Sequence, residues 1–235
     1  MRLLVLAGGF GTRLKAVVND VPKALAPVGS VPFLQLQIEH WYAQGIREFS
    51  FLLHHKSGQI IDFLHIQKSN QLKDCHVNWL IEPTPMDTGG AIAYAVNQLN
   101  LSGDFLATNA DTWLGGGFSE MMRAVCPAIA VLNLPDVSRY GEVHFNEYHS
   151  VISFKEKTNH KSAGWINAGL SLLCAELFQD WNGEPFSMEL HLFATLVNNR
   201  NLKAVPLQTE FIDIGIPADY QRFCDWVVAG RKTKL

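Results

Sequence analysis

A glycine-rich loop near the start of the chain has the composition of a phosphate-binding site. Gly8, Gly9 and Gly11 follow a short apolar run, and glycine lets the backbone turn sharply and approach a ligand closely. Consecutive N–H groups of such a loop can hold an anion. The glycines alone fit a structural turn equally well. Arg13 and Lys23 favour a phosphate site, because they add cations that a structural turn does not need.

The residues after the glycines exclude two common phosphate-binding motifs. A Walker A loop requires Gly-Lys followed by Ser or Thr, whereas this chain has Gly11, Thr12 and Arg13. A dinucleotide-binding fingerprint requires a third glycine, and Leu14 stands in that place. A dinucleotide oxidoreductase is therefore disfavoured, and the loop predicts a triphosphate site.

Two aspartates lie in or beside apolar segments. Asp111 follows the run 105–108, and Asp213 lies within the run 211–214. An ionised carboxylate in such surroundings is costly unless it is paired or binds a metal. Each aspartate alone is better explained by a turn or a salt bridge. The pair, combined with the phosphate loop, favours a shared Mg²⁺ site beyond the carboxyl ends of the strands.

Four further segments are candidate binding sites. Thr88–Ala91 stand at a predicted helix start, where they could bind an anion or let a nucleobase lie against the backbone. Glu82 ends a predicted strand and could recognise a base or ribose. Glu156-Lys157 and Asn167–Gly169 could bind a sugar phosphate, although a solvated charge pair and a β-bulge explain them equally well.

The first half of the chain alternates between strands and helices. We predict strands at 3–6, 49–53, 77–81 and 105–108, and helices at 34–42, 59–66 and 91–99, the last capped by Asp87 or Thr88. This alternation is typical of an α/β sheet with right-handed crossovers.

The second half is richer in strands. We predict strands at 128–132, 142–145, 151–154, 165–173 and 211–214, a helix at 186–197, and a last helix with Pro217 in its first turn. A single domain over 1–235 is simpler than two domains. It would comprise a nucleotide-binding half at 1–115 and a sugar-phosphate-binding half at 116–235.

Composition limits the class of protein. Hydrophobic residues make up 48% of the 235-residue chain and charged residues 17%, which is typical of a globular protein. The net charge of −3 argues against a nucleic-acid partner. No apolar run is long enough to span a bilayer, and the four cysteines show no metal-binding or redox spacing. We therefore expect a cytoplasmic protein without a membrane partner. The oligomeric state is not predicted, although a homodimer is compatible with the sequence.

Together these motifs resemble the signature of the sugar-1-phosphate nucleotidyltransferases. The resemblance covers nearly the whole chain, and it rests on residues 6–14, 22–25, 87–91, 109–111, 154–157, 167–169 and 211–215. Within the family, residues 20–28 and the short length are most similar to the D-glycero-α-D-manno-heptose 1-phosphate guanylyltransferases. Similarity to that branch implies a role in the synthesis of bacterial surface polysaccharides such as lipopolysaccharide, capsule and S-layer glycans.

The resemblance implies a Rossmann-like, three-layer α/β/α fold with a mostly parallel central sheet and a mixed second half. It implies catalytic roles for Arg13, Lys23, Asp111 and Asp213, with Mg²⁺ held by the two aspartates. Nucleotide-binding roles fall on Leu6, Ala7, Gly8, Gly9, Gly11, Thr12, Arg13, Glu82, Thr88, Gly89, Gly90 and Asn109. Sugar-phosphate-binding roles fall on Lys23, Gly141, Glu156, Lys157 and Asn167. Ala110 departs from the family, which more often has glycine before this aspartate.

The implied reaction joins GTP to D-glycero-α-D-manno-heptose 1-phosphate and yields GDP-heptose and pyrophosphate. Related branches use the same loop with other substrates. A mannose 1-phosphate guanylyltransferase, or a uridylyl-, thymidylyl- or cytidylyltransferase for another sugar 1-phosphate, therefore remains an alternative. A non-catalytic nucleotide-binding regulatory module is an alternative of another class. Such a module would be expected to lack Arg13, Lys23 or one of the aspartates, and all are present.

Overall fold

A computed structural model of the chain describes residues 1–155 and 161–230. The strands are β1 (Arg2–Leu6), β2 (Pro27–Val28), β3 (Val31–Pro32), β4 (Glu48–Leu53), β5 (His76–Ile81), β6 (Asp104–Asn109), β7 (Thr112–Leu114), β8 (Ala128–Leu134), β9 (Glu142–Phe145), β10 (Val151–Lys155), β11 (Gly164–Cys174), β12 (Lys203–Leu207) and β13 (Phe211–Asp213). The α-helices are α1 (Phe33–Ala43), α2 (Ser57–Ser69), α3 (Asp87–Gln98), α4 (Phe118–Met122), α5 (Ala194–Asn198) and α6 (Pro217–Val228).

The chain divides into two compact units. The first comprises Met1–Pro85, Thr108–Gly115 and Glu210–Leu235, and the second comprises Met86–Ala107 and Gly116–Thr209. One boundary falls between Gly115 and Gly116, where we expected the two halves to meet. However, residues 86–107 group with the later part of the chain and residues 210–235 with the earlier part. The single-domain organisation stays a prediction.

The first unit contains a parallel sheet in which β1 and β5 flank β4. Leu3 pairs with Phe49, and Phe49 pairs with Val77. The middle residues of β1, Leu3 to Val5, are fully buried, which confirms the predicted strand buried on both faces. Parallel strands in this order place their carboxyl ends at one edge, where ligands of α/β proteins bind.

An aromatic core holds the C-terminal part of the first unit against its N-terminal part. Phe223 and Trp226 of α6 pack with Phe33 of α1 and with Trp113 of β7. Pro217 occupies the first turn of α6, as predicted. Strand β13 directly precedes α6 and pairs antiparallel with β7. Because α6 and β7 both contribute to the aromatic core, this packing also fixes the position of β13.

The second unit contains a mixed sheet, as expected for the second half of the chain. Strand β11 pairs antiparallel with both β8 and β9, β9 pairs antiparallel with β10, and β12 pairs parallel with β8. The ladder between β11 and β8 shifts register between Asn167 and Ser171. Gly169 lies there with a φ of 75°, so the bulge interpretation of this segment is supported.

Two predicted helices differ in detail from the structure. Neither Asp87 nor Thr88 is the cap residue of α3, because Met86 holds that position, and its side chain makes no capping hydrogen bond. The predicted helix at 186–197 is a π-helix at Met188–Phe193 followed by α5. Ser187 caps the π-helix by accepting a hydrogen bond from the Leu190 N–H. Apolar periodicity detects a helical segment but not an i→i+5 hydrogen-bonding pattern.

Within residues 1–155 and 161–230, every helix is too short or too polar to span a bilayer. The four cysteines all carry free thiols.

Candidate active site

The glycine loop leaves the carboxyl end of β1 and enters a short 3₁₀ helix at Thr12–Leu14. The Ala7 N–H donates to the Leu52 carbonyl at 2.9 Å and ties the loop's start to β4. Gly11 precedes the 3₁₀ helix with a φ of 59°, a conformation that favours glycine. Buried Leu14 anchors the other side, and its N–H donates to the Gly11 carbonyl at 3.1 Å. The loop is therefore held at both ends.

Several backbone N–H groups of this loop are available to an anion. Among the described residues, none accepts a hydrogen bond from the N–H of Gly9, Gly11, Thr12 or Arg13. Unpaired N–H groups at the start of a helical turn carry partial positive charge. The predicted role of these groups in holding a polyphosphate stays a prediction, and their free N–H groups are compatible with it.

Gly8 is required by the close approach of Glu82. A Cβ atom on Gly8 would lie 2.7 Å from Glu82 Oε1 and 3.2 Å from the backbone nitrogen of His54. Glu82 directly follows β5 and is 7% exposed. The structure thus brings two residues of the predicted nucleotide-binding set into contact.

Lys23 lies between the two predicted metal ligands. Its Nζ is 2.6 Å from Asp111 Oδ2 and 3.5 Å from Asp213 Oδ1. Its side chain is 11% exposed, against 36% for Asp111 and 23% for Asp213. Lys23 begins a short 3₁₀ helix after Pro22, and fully buried Ala26 follows that helix. Because the Lys23 side chain is largely buried, the position of its ammonium group is restricted.

The pairing of β7 with β13 brings the two aspartates together. Asp213 pairs with Thr112, the neighbour of Asp111, and the Ile214 N–H donates to the Asp111 carbonyl at 3.0 Å. The Thr112 hydroxyl donates to Asp111 Oδ1 at 3.3 Å, and the Gly215 N–H donates to Asp213 Oδ1 at 2.7 Å. These hydrogen bonds orient the two carboxylates.

The carboxylate pair fits a hard divalent cation. Asp111 and Asp213 converge on a single ammonium group, so the three side chains carry a net charge of −1. Mg²⁺ and similar ions bind through one or two carboxylates together with phosphate oxygens. The donor set and the local negative charge are suitable for such an ion beside a bound polyphosphate.

A cleft in the first unit collects most of these residues. It is lined by Leu6, Ala7, Gly9, Gly11, Thr12, Arg13, Lys23, Ala24, Ala110, Asp111 and Gly215. Ala24, Ala110 and Gly215 were not among the predicted site residues, although all three lie in the segments that carry the family resemblance. Ala110 is buried and donates its N–H to the Leu6 carbonyl at 3.0 Å. Its methyl group therefore narrows the cleft directly before Asp111.

Gly215 packs directly against the charged cluster, so we expect Gly215→Ala to lower kcat by about tenfold or more. A Cβ atom there would lie 2.8 Å from Asp213 Oδ1 and 3.1 Å from Lys23 Nζ. Moving either group by a few tenths of an ångström would disturb the alignment that catalysis requires.

Steady-state kinetics of Gly215→Ala, compared with Gly58→Ala, tests this prediction. A Cβ atom on Gly58 would meet no other atom within 4 Å, and Gly58 lies in α2. Gly58→Ala should keep full activity and gain up to about 1 kcal/mol of stability. Wild-type kcat in Gly215→Ala would show that the cluster tolerates displacement.

The predicted nucleotide-binding segment at the start of α3 packs against a loop of the second unit that contains Phe186. The N–H groups of Gly89 and Gly90 both donate to the Phe186 carbonyl, at 2.9 and 3.1 Å. The Thr88 hydroxyl donates to Glu189 Oε2 at 3.1 Å and accepts from the Met188 N–H at 2.8 Å. These N–H groups are thus not offered to an anion here. A Cβ atom on Gly89 would overlap the Phe186 ring, so packing already requires this glycine.

The predicted sugar-phosphate residues lie in the second unit. Gly141 directly precedes β9, and Asn167 follows Ile166 of β11, which pairs with Glu142. Gly141 and Asn167 thus lie on neighbouring strands. Asn167 Oδ1 accepts a hydrogen bond from the Gly169 N–H at 3.1 Å. Glu156 and Lys157 lie outside the described residues.

Asn109 is the last residue of β6. It is half-buried and directly precedes Ala110 and Asp111 of the cleft. Its predicted nucleotide contact stays a prediction, as do those of Thr88, Gly89 and Gly90.

The chain is similar in sequence to known proteins along nearly its whole length. The chain is 34% identical to the D-glycero-α-D-manno-heptose 1-phosphate guanylyltransferase of Campylobacter jejuni over 95% of this chain and 98% of that protein. It is 27% identical to the mannose-1-phosphate guanyltransferase of Schizosaccharomyces pombe, over 94% of this chain and 62% of that longer protein.

The fold matches a solved structure over nearly the whole chain. The crystal structure of HddC from Yersinia pseudotuberculosis complexed with GMP-PN superposes with a TM-score of 0.83 and 31% identity, covering 96% of this chain and 99% of that one. The expected α/β fold with a mostly parallel central sheet is thereby confirmed. The sequence pattern of the nucleotidyl transferase family matches residues 2–223. On these grounds, the chain belongs to the nucleotidyl transferase family.

Proposed function

We propose that this protein transfers a guanylyl group from GTP to D-glycero-α-D-manno-heptose 1-phosphate, forming GDP-heptose and pyrophosphate. The observation that carries the chemistry is the cluster of Lys23, Asp111 and Asp213 beside a loop with unpaired N–H groups. The choice of guanine and heptose rests on the similarity to guanylyltransferases with those substrates.

The reaction is an in-line displacement that needs no general base. A phosphate oxygen of the sugar 1-phosphate attacks the α-phosphorus of GTP, the new P–O bond forms, and the bond to the pyrophosphate leaving group breaks. The nucleophile is already ionised near neutral pH. The main barrier is the approach of two polyanions. The loop N–H groups and Arg13 would hold the triphosphate, and Lys23 would offset charge near the reacting phosphorus.

Members of this family typically use a divalent metal. We propose that the metal is Mg²⁺ and that Asp111 and Asp213 hold it. When bound, it would neutralise phosphate charge. Lys23 shares these two carboxylates in the structure, and with the carboxylates holding a metal its ammonium group would be available to the phosphates.

The remaining assignments belong to the same proposal. Glu82 and Gly8 would border the ribose or base, and Gly141, Glu156, Lys157 and Asn167 would position the sugar phosphate. A cytoplasmic location, a homodimer and a role in bacterial surface polysaccharide synthesis stay predictions.

A substrate panel tests the proposal. Pyrophosphate release would be measured with GTP, UTP, dTTP and CTP against heptose, mannose and glucose 1-phosphates. We expect GTP with heptose 1-phosphate to have the highest kcat/KM, by about tenfold or more over each other pair. Mannose 1-phosphate is the second candidate acceptor, because the S. pombe relative carries that name.

Asp111→Asn protein, purified in the same way, serves as the blank in this panel. Pyrophosphate released in its presence measures the activity of contaminating enzymes. Preference for a nucleotide other than GTP would refute the guanylyl assignment alone. Absence of turnover with every pair would contradict the transferase assignment itself.

A further inference from the structure

A group of metal-binding side chains lies outside the candidate active site, where three strands of the second unit begin or end. Asp104 is the first residue of β6, and Cys174 is the last residue of β11. Cys126 lies two residues before β8. The antiparallel register pairs Leu172 with Ala128, and its continuation places Cys174 opposite Cys126.

The backbone also brings Asp104 to the two cysteines. The Ala175 N–H donates to the Gly103 carbonyl at 3.1 Å, so the start of β6 lies beside the end of β11. One carboxylate oxygen of Asp104 and the Sγ atoms of Cys126 and Cys174 all lie within 4.8 Å of one another. In a tetrahedral zinc site with Zn–S bonds of about 2.3 Å, ligand atoms lie about 3.8 Å apart. Small side-chain rotations would therefore close the site around one ion.

Solvent can deliver a cation to this place, and each thiol must lose its proton to bind it. Both cysteines are half-buried and Asp104 is exposed, so an ion can reach the site from solvent. Burial, followed by the neighbouring Cys174 and Asp104, raises the pKa of the Cys126 thiol. Burial and a hydrogen bond with Glu176 raise the pKa of Cys174. Without a metal, both groups are thus neutral, weakly reactive thiols at neutral pH.

We propose that Cys126, Cys174 and Asp104 form a site for a thiophilic divalent cation, with Zn²⁺ as the best fit. Two sulfurs and one carboxylate match the ligand preference of zinc rather than of Mg²⁺. Each thiol releases its proton as it binds. Glu176 or a water molecule completes the coordination. The ion fastens the ends of β6, β8 and β11, and the site shares no residue with the Lys23–Asp111–Asp213 cluster.

Cobalt substitution tests the site without relying on enzyme activity. Reduced protein would be titrated with Co²⁺ in excess Mg²⁺, which occupies carboxylate sites. We expect one equivalent to produce thiolate-to-cobalt charge-transfer absorption, and Zn²⁺ to abolish it. Cys126→Ser and Cys174→Ser should each lose most of this absorption, and Asp104→Asn should weaken Co²⁺ binding about tenfold or more.

Matched variants control for unrelated thiols and carboxylates. Cys75→Ser, Cys224→Ser and Asp180→Asn should bind Co²⁺ like the wild type, because these residues lie outside the cluster. Circular dichroism checks folding, and the exposed Asp104 variant keeps the test valid if a cysteine variant misfolds. Absence of the charge-transfer absorption in reduced wild-type protein would overturn the proposal. Equal losses in the Cys75 or Cys224 variants would also overturn it.

Discussion

Replacing Asp111 with asparagine is expected to lower kcat for nucleotidyl transfer by about a hundredfold to a thousandfold. Asp111 is one of two carboxylates that converge on Lys23, and asparagine keeps its shape but removes its charge. Stability should change by less than about 1 kcal/mol, because the side chain is 36% exposed and its ion pair is partly screened. A large kinetic loss with a small stability loss is typical of a group that acts on the reacting phosphates.

The measurement combines pyrophosphate-release kinetics with urea denaturation. Asp20→Asn is the matched control, because Asp20 is an exposed carboxylate of the same unit and lies outside the cleft. It should retain wild-type kcat. If Asp111→Asn also turned over at the wild-type rate, the metal-site assignment of this carboxylate would be wrong.

Lys23→Met should reduce kcat/KM by about a hundredfold or more and should also change the response to Mg²⁺. The variant removes a cation from a site that must bring two polyanions together. It also leaves Asp111 and Asp213 without the ammonium group that links them, so they repel each other. Because Mg²⁺ would then bind without a competing cation, it should raise the Tm of Lys23→Met more than that of the wild type.

Two comparisons make the Lys23 result interpretable. Lys23→Arg keeps the charge, yet Gly11 and Gly215 pack against the lysine side chain, within 3.2 and 3.1 Å of their would-be Cβ atoms. The larger guanidinium should therefore restore little activity. Lys73→Met removes an exposed lysine and should change neither activity nor the Mg²⁺ response. Equal Mg²⁺-induced shifts in the Tm of wild type and Lys23→Met would refute the competition between ammonium and metal.

The sequence predicts those elements whose own residues determine them. The buried strand β1, the amphipathic helix α1 and the proline-initiated helix α6 all lie where apolar periodicity and turn residues place them. The loop that begins at Gly8 is also readable, because its glycines and cations have a direct chemical meaning.

Long-range partners are not readable in this way. Nothing local to Lys23 indicates that it lies between Asp111 and Asp213, because that contact depends on the pairing of β13 with β7. The start of α3 is a second example. Its glycines look like an anion site, whereas the Phe186 carbonyl already accepts their N–H groups. Packing between distant segments decides both cases.

The pairing of β13 with β7 also has a consequence for synthesis on the ribosome. Phe211 pairs with Leu114 and Asp213 with Thr112, so one carboxylate of the cluster is translated long after the other. Closing so long a loop is entropically costly and slow compared with local folding. Until β13 and the aromatic residues of α6 have emerged, the nascent chain holds Lys23 and Asp111 without their third partner. The phosphate loop can therefore form early, whereas the complete charged cluster assembles only after β13 has emerged and paired with β7.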